Sequence, residues 1–85
     1  MNMKYAKILQ LCGDTLVECD YDRNEAQGAF ERVTVGFTGR ELDAIEAELV
    51  AMPADDYAQV FACEGPKPKT SVLFAEFYRN LLQCL

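Results

Sequence analysis

There is no histidine in this chain. Its absence removes the commonest general base and, with it, the Ser–His and Cys–His nucleophile pairs. No CxxC pair occurs either, and the four cysteines, Cys12, Cys19, Cys63 and Cys84, stand 7, 44 and 21 positions apart. Such spacing does not suit a metal centre, so the thiols read as small buried hydrophobes and no metal or cofactor is called for. The five glycines, at 13, 28, 36, 39 and 65, are scattered, which leaves no phosphate-cradling loop. Basic residues are few, 8 against 14 acids, for a net charge of −6. Phosphate contacts need Lys and Arg, so direct nucleic-acid binding and attachment to an anionic membrane are not expected. Long apolar runs are missing too. The opening MNMKYAKILQLCG holds an apolar run of about four residues, Ile8, Leu9, Leu11 and Cys12, broken by Gln10 and short of a signal-peptide core or a bilayer span. A cytoplasmic protein is the expectation.

What is present is core material: 51% of the 85 residues are apolar, enough for a single domain over 1–85 with no linker or repeat. The strongest stretch is the last, VLFAEFYRNLLQCL from Val72 to Leu85. On a helix its Leu73, Phe74, Phe77, Tyr78, Leu81, Leu82, Cys84 and Leu85 form one side. The arc is roughly 180° wide, against the ~100° a surface helix needs. That width predicts a second covering surface, and a second copy of the chain is one source of it.

Earlier in the chain, Lys4–Cys12 and Thr15–Tyr21 read as a hairpin around Gly13-Asp14, with Lys7 opposite Asp20 as a favourable cross-strand pair. A rival helix has Tyr5, Ile8, Leu9 and Cys12 at helical spacing and Gly13 as its C-cap. Ala29–Phe37 alternates and reads as a third strand. Thr38-Gly-Arg-Glu41 is a capping box opening a helix that Pro53 stops, and that helix's acids read as a solvated surface. Residues 54–64 suit a short helix, with Asp55 and Asp56 at its start and Gly65-Pro66 at its end, although strand is the alternative. Pro66-Lys-Pro-Lys69 is a stiff connector, and Thr70 or Ser71 caps the final helix. The expected fold is therefore α+β: a three-stranded antiparallel sheet (hairpin 4–21 plus strand 29–37) packed by two or three helices, over 39–52, 54–64 and 71–85. One sheet face keeps Leu9, Leu11, Leu16 and Phe30 uncovered; with Leu73 and Phe77 these form the expected homo-oligomer interface.

Candidate chemistry is sparse. The Asp55-Asp56 carboxylates point apart on any regular element and read as a helix N-terminus. Phe37-Thr38-Gly39-Arg40 offers amides and a guanidinium to an anion, though plain capping explains it. Tyr57, Phe61 and Tyr78 can line an aromatic pocket, but their helical spacing suits a core. What remains is an acidic row, Glu18, Asp20 and Asp22 on one strand face with Glu25 beyond. Such a row is a patch that a basic protein surface can read. The expected function is a non-enzymatic interaction protein that binds and occludes a basic, nucleic-acid-binding surface of another protein. In size, charge and lack of a catalytic motif the chain is similar to the small inhibitors that phages make against bacterial defence systems, anti-CRISPR proteins among them. The alternative is a homo-oligomeric structural or accessory subunit with a small-ligand pocket at its interface.

Overall fold

The computed structural model describes residues 4–85, and among them there is no strand. The helices are α1 (Ala6–Glu18), α2 (Ala26–Thr34), α3 (Gly39–Ala51), α4 (Ala54–Phe61) and α5 (Val72–Gln83). A 3-10 turn over Arg23–Glu25 leads into α2. The α+β reading is thereby overturned: the hairpin 4–21 and the strand 29–37 are both mainly helical, and the described residues form no sheet for helices to pack on.

The physical reason lies in which residues are covered. Ile8, Leu11, Cys12, Thr15 and Leu16 follow a helical stripe, and none is more than 2% exposed. The alternating set that suggested a strand, Val17, Cys19 and Tyr21, is exposed and takes no part in the core. Gly13 is not a turn residue but a point of close approach in the middle of α1. A Cβ there would stand 2.9 Å from Arg23 Nη1 and 3.3 Å from Arg23 Cγ. The helix gives up about 1 kcal/mol of propensity relative to alanine to let this neighbour in.

The end of α1 is a Schellman motif. Asp20 N–H donates to Val17 O at 3.1 Å and Tyr21 N–H to Leu16 O at 2.8 Å, with Asp20 left-handed at φ 67°. Asp22 then accepts from Asn24 N–H at 2.9 Å and starts the 3-10 turn. In α2, Ala29 and Val33 are buried and Phe30 is half-buried, again at helical spacing. Val35, a member of the apparent strand face, is 85% exposed.

The three later helices lie close to the ranges their caps suggested, and 54–61 is helix rather than strand. α5 packs against α2 and α3 and buries Phe74, Phe77 and Leu81, while Phe37 meets Phe77 with ring centroids 5.3 Å apart. The wide apolar arc is thus largely covered within one chain. Leu11, Leu16 and Phe77 sit in this chain's own core, and Leu9, Phe30 and Leu73 are half-buried. The six residues do not make a free face on this chain.

The acids of α3 are also not the solvated set their spacing suggested. Tyr5 supplies no side-chain cap to α1. Instead Glu46 reaches across and accepts from Lys7 N–H at 3.1 Å and Ile8 N–H at 3.0 Å. Glu48 accepts from Ser71 N–H at 2.9 Å and Ser71 Oγ at 2.6 Å, fixing the residue whose hydroxyl caps α5. Glu41 completes the capping box of α3 itself. Asp43 accepts from the Tyr5 hydroxyl at 2.8 Å and pairs with Lys4 at 3.4 Å. Helix N-termini leave amides unpaired and carry partial positive charge, so carboxylates from a neighbouring helix serve both needs.

Candidate functional site

The ends of α1 and α4, the 62–71 connector and one flank of α5 enclose a groove of about 450 Å³, open to solvent along one side. Val60 and Phe61 come from α4, Pro68 from the connector, and Phe74, Ala75, Tyr78 and Leu82 from α5. The connector owes its position to three local features. Gly65 turns the chain at φ 97°, and a Cβ there would meet Gln59 Oε1 at 2.9 Å. Pro66 and Pro68 forbid further helix. Lys67 Nζ donates to Gln59 O, Val60 O and Ala62 O at 3.3, 3.1 and 2.6 Å. The ammonium thereby satisfies carbonyls at the open C-terminus of α4, where positive charge is also favoured by the helix dipole.

The polar lining is Glu18 at the end of α1 and Cys19 just after it, Cys63, Lys67 and Thr70 from the connector, and Arg79 from α5. The Glu18 carboxylate is the largest cause that pushes the Cys63 thiol's pKa up. Burial does the same for the Tyr78 phenol. Two cysteines therefore depart from the core reading: Cys19 and Cys63 are exposed at the groove, whereas Cys12 is buried and Cys84 half-buried. Burial pushes the Cys12 thiol up to about 12. A thiol held in its protonated form beside a carboxylate is a poor nucleophile. No three His, Cys, Asp or Glu side chains among the described residues are placed to hold a metal. The groove is suited to binding, and its size falls within the ~300–1,000 Å³ of ordinary ligand sites.

Of the expected acidic row, Glu18 alone lines this groove. Asp20 is the left-handed residue of the Schellman motif, Asp22 caps the 3-10 turn, and Glu25 lies in that turn. All four are exposed, but they follow the chain around the α1–α2 turn and do not form an evenly spaced row on a strand. Asp55 and Asp56 sit in the first turn of α4, and Thr38 is occupied by its capping box. Phe61 and Tyr78 do line the groove, while Tyr57 packs edge-on to Phe61 and donates its hydroxyl to Asp14 at 2.6 Å. Asp14 also pairs with Arg23 at 2.7 Å. A smaller recess of about 240 Å³ lies between Lys7, Gln10, Leu49, Val50 and Met52 and has a more mixed lining.

Sequence reasoning missed the groove, the Lys67 cap and the bonds of Glu46 and Glu48. One signal pointed to the last: α1 opens after Tyr5, which is no capping residue, so an acceptor had to come from elsewhere. No protein-family model matches this chain, and no curated protein or solved structure matches it. No described helix is long and apolar enough to cross a membrane.

Proposed function

We propose that this chain is a small non-enzymatic interaction protein that binds a basic surface on another protein and occludes it, comparable in manner to phage inhibitors of bacterial defence. It acts in the cytoplasm, where four unpaired cysteines stay reduced. The observation that carries this reading is the division of its carboxylates. Asp14, Glu41, Asp43, Glu46 and Glu48 are occupied by internal donors. Glu18, Asp20, Glu25 and Glu64 are exposed, the first on the groove wall and Glu64 beside groove-lining Cys63. Free carboxylates of this kind steer a basic partner and set the salt dependence of its association.

The test is capture from a lysate of the native host at low and high salt, with a Glu18→Lys/Glu25→Lys double variant as the comparison. Asp20 and Asp22 are left untouched because both shape the backbone of the turn. A Lys/Arg-rich partner, released by salt and lost with the variant, is the expected result. A partner retained equally by the variant and at high salt overturns the reading.

A further inference from the structure

We propose that Cys19 and Cys63 are a redox-active dithiol. A small-molecule disulfide such as oxidised glutathione closes them into a disulfide that ties the end of α1 to the connector wall of the groove. This goes beyond the interaction reading above and does not depend on it.

Three observations select this pair. The first is where the helices end. Tyr57 on α4 donates to Asp14 on α1 at 2.6 Å. Further along both helices, Glu18 and Cys63 line the same groove, with the Glu18 carboxylate acting on the Cys63 thiol. The two helices therefore run side by side in the same direction, and their C-terminal ends open on the groove together. Cys19 caps α1 five residues after Asp14, and Cys63 follows Tyr57 by six. The charge of Cys19 is felt at Cys63, and that of both thiols at the Tyr78 phenol, so the two sulfurs share one neighbourhood.

The second is access. Cys19 and Cys63 are both exposed on the groove. Cys12 and Cys84 are neighbours too, since Cys84 adds to the burial that pushes the Cys12 thiol up to about 12. Cys12, however, is 0% exposed, and no reagent reaches it in the folded chain. Exchange requires both thiolate character and exposure. One pair is thus open to oxidation and the other closed, which gives the molecule its own internal control.

The third is a division of labour between the two thiols. The negative charge of Glu18 disfavours a thiolate at Cys63, which suits Cys63 to the second step of an exchange. In the first step Cys19 Sγ bonds to one sulfur of the small disulfide, whose S–S bond breaks and whose other half leaves as a thiolate. Cys63 Sγ then attacks Cys19 Sγ and displaces the second small thiolate. Two electrons pass from the protein dithiol to the small disulfide, and the two protein protons leave on the two small thiols. Cys63 belongs to no helix, so its backbone can shift to the Cα separation of roughly 4.4–6.8 Å that a disulfide needs. In a reducing compartment the pair stays open, and such bonds there form transiently, as sensors do.

The test incubates the full chain in buffers of oxidised and reduced glutathione at graded ratios and maps the products by mass spectrometry. Free thiols counted in denaturant should fall from four to two, with a cross-linked Cys19–Cys63 peptide and the loss of two hydrogens. Tm should rise by about 10 °C or more, because linking residues so far apart in sequence constrains the unfolded chain. Dithiothreitol should reverse both changes. Cys63→Ser, a substitution at an exposed position, should stop at a glutathione adduct on Cys19 and show no such rise in Tm. If the natural chain accumulates glutathione adducts on Cys19 and Cys63 without the link, the two sulfurs do not meet and the inference fails. A Cys12–Cys84 link in their place, or a dimer joined through Cys19 or Cys63, overturns it as well.

Discussion

The four acids of α3 and the four between residues 18 and 25 are the same chemical groups in the same small molecule, yet they do different work. Glu46 and Glu48 are half-buried and accept from backbone amides at the start of α1 and α5; Glu41 does so for its own helix. Glu18 and Glu25 are exposed and accept from no backbone amide. Asp22 falls between these cases, its carboxylate accepting from Asn24 N–H, and Asp20 is set apart by its left-handed backbone. Net charge alone says nothing of this division. What separates Glu41, Glu46 and Glu48 from Glu18 and Glu25 is whether an unpaired amide at a helix start lies within reach, because such an amide attracts the nearest carboxylate.

Breaking the α3 side should cost most. Glu46→Ala or Glu48→Ala strands two donors in each case, and each should lose about 1–2 kcal/mol, at the upper end of capping effects. In a domain of this size each kcal/mol lowers Tm by roughly 4–8 °C. Thermal melts that place these variants level with Glu18→Ala would erase the distinction.

Tyr57→Phe should come next, at about 1–2 kcal/mol for a hydroxyl donating to a charged acceptor. Its pH dependence sharpens the test. Burial first, and the Asp14 hydrogen bond second, push the Tyr57 phenol well above its ordinary value of 10.0. A raised folded-state pKa gives stability that is complete below the unfolded value and is lost as pH rises from there towards the folded value. Stability of the natural chain should therefore fall above about pH 10, and denaturant titrations should show the Tyr57→Phe variant losing one proton's worth of that slope. An unchanged slope would refute the role given to this phenol.

A smaller and opposite effect is expected at Asp20. Glycine adopts the left-handed conformation without steric cost, so Asp20→Gly should stabilise by about 0.5–1 kcal/mol, measured by urea unfolding. The smallest change belongs to Glu18→Lys and Glu25→Lys, each within about 0.5 kcal/mol of the natural chain. A larger loss in either would move it to the structural side of the comparison.

The carboxyl-terminal half was legible because its signals are local. The Thr38–Glu41 box, Pro53, the acids at 55 and 56 and the Gly65-Pro66 stop each act within a turn of helix. The amino-terminal half was misread because two periods coexist there. Val17, Cys19 and Tyr21 alternate, but the five-residue helical stripe from Ile8 to Leu16 carries the burial. The apparent Lys7–Asp20 cross-strand match was a coincidence of a pairing that does not form. Gly13 reinforced the error, since a glycine needed for close approach and a glycine needed for a turn look alike in sequence. The groove was beyond sequence reading because its lining comes from segments far apart in the chain, and only Phe61 and Tyr78 had been marked as aromatic candidates.

The Lys67 cap has a kinetic consequence. Ordering a free backbone segment costs roughly 1–2 kcal/mol per residue in lost conformational entropy. Here two prolines and a three-pronged ammonium have already immobilised the wall during folding. The shape of the groove is thereby set during folding, with no loop left to close over it. Acetylation of Lys67 would undo this: the neutral amide can donate to one carbonyl where the ammonium served three. The helix end would fray and the wall would slacken, so that a groove now fixed in shape would become a changeable one.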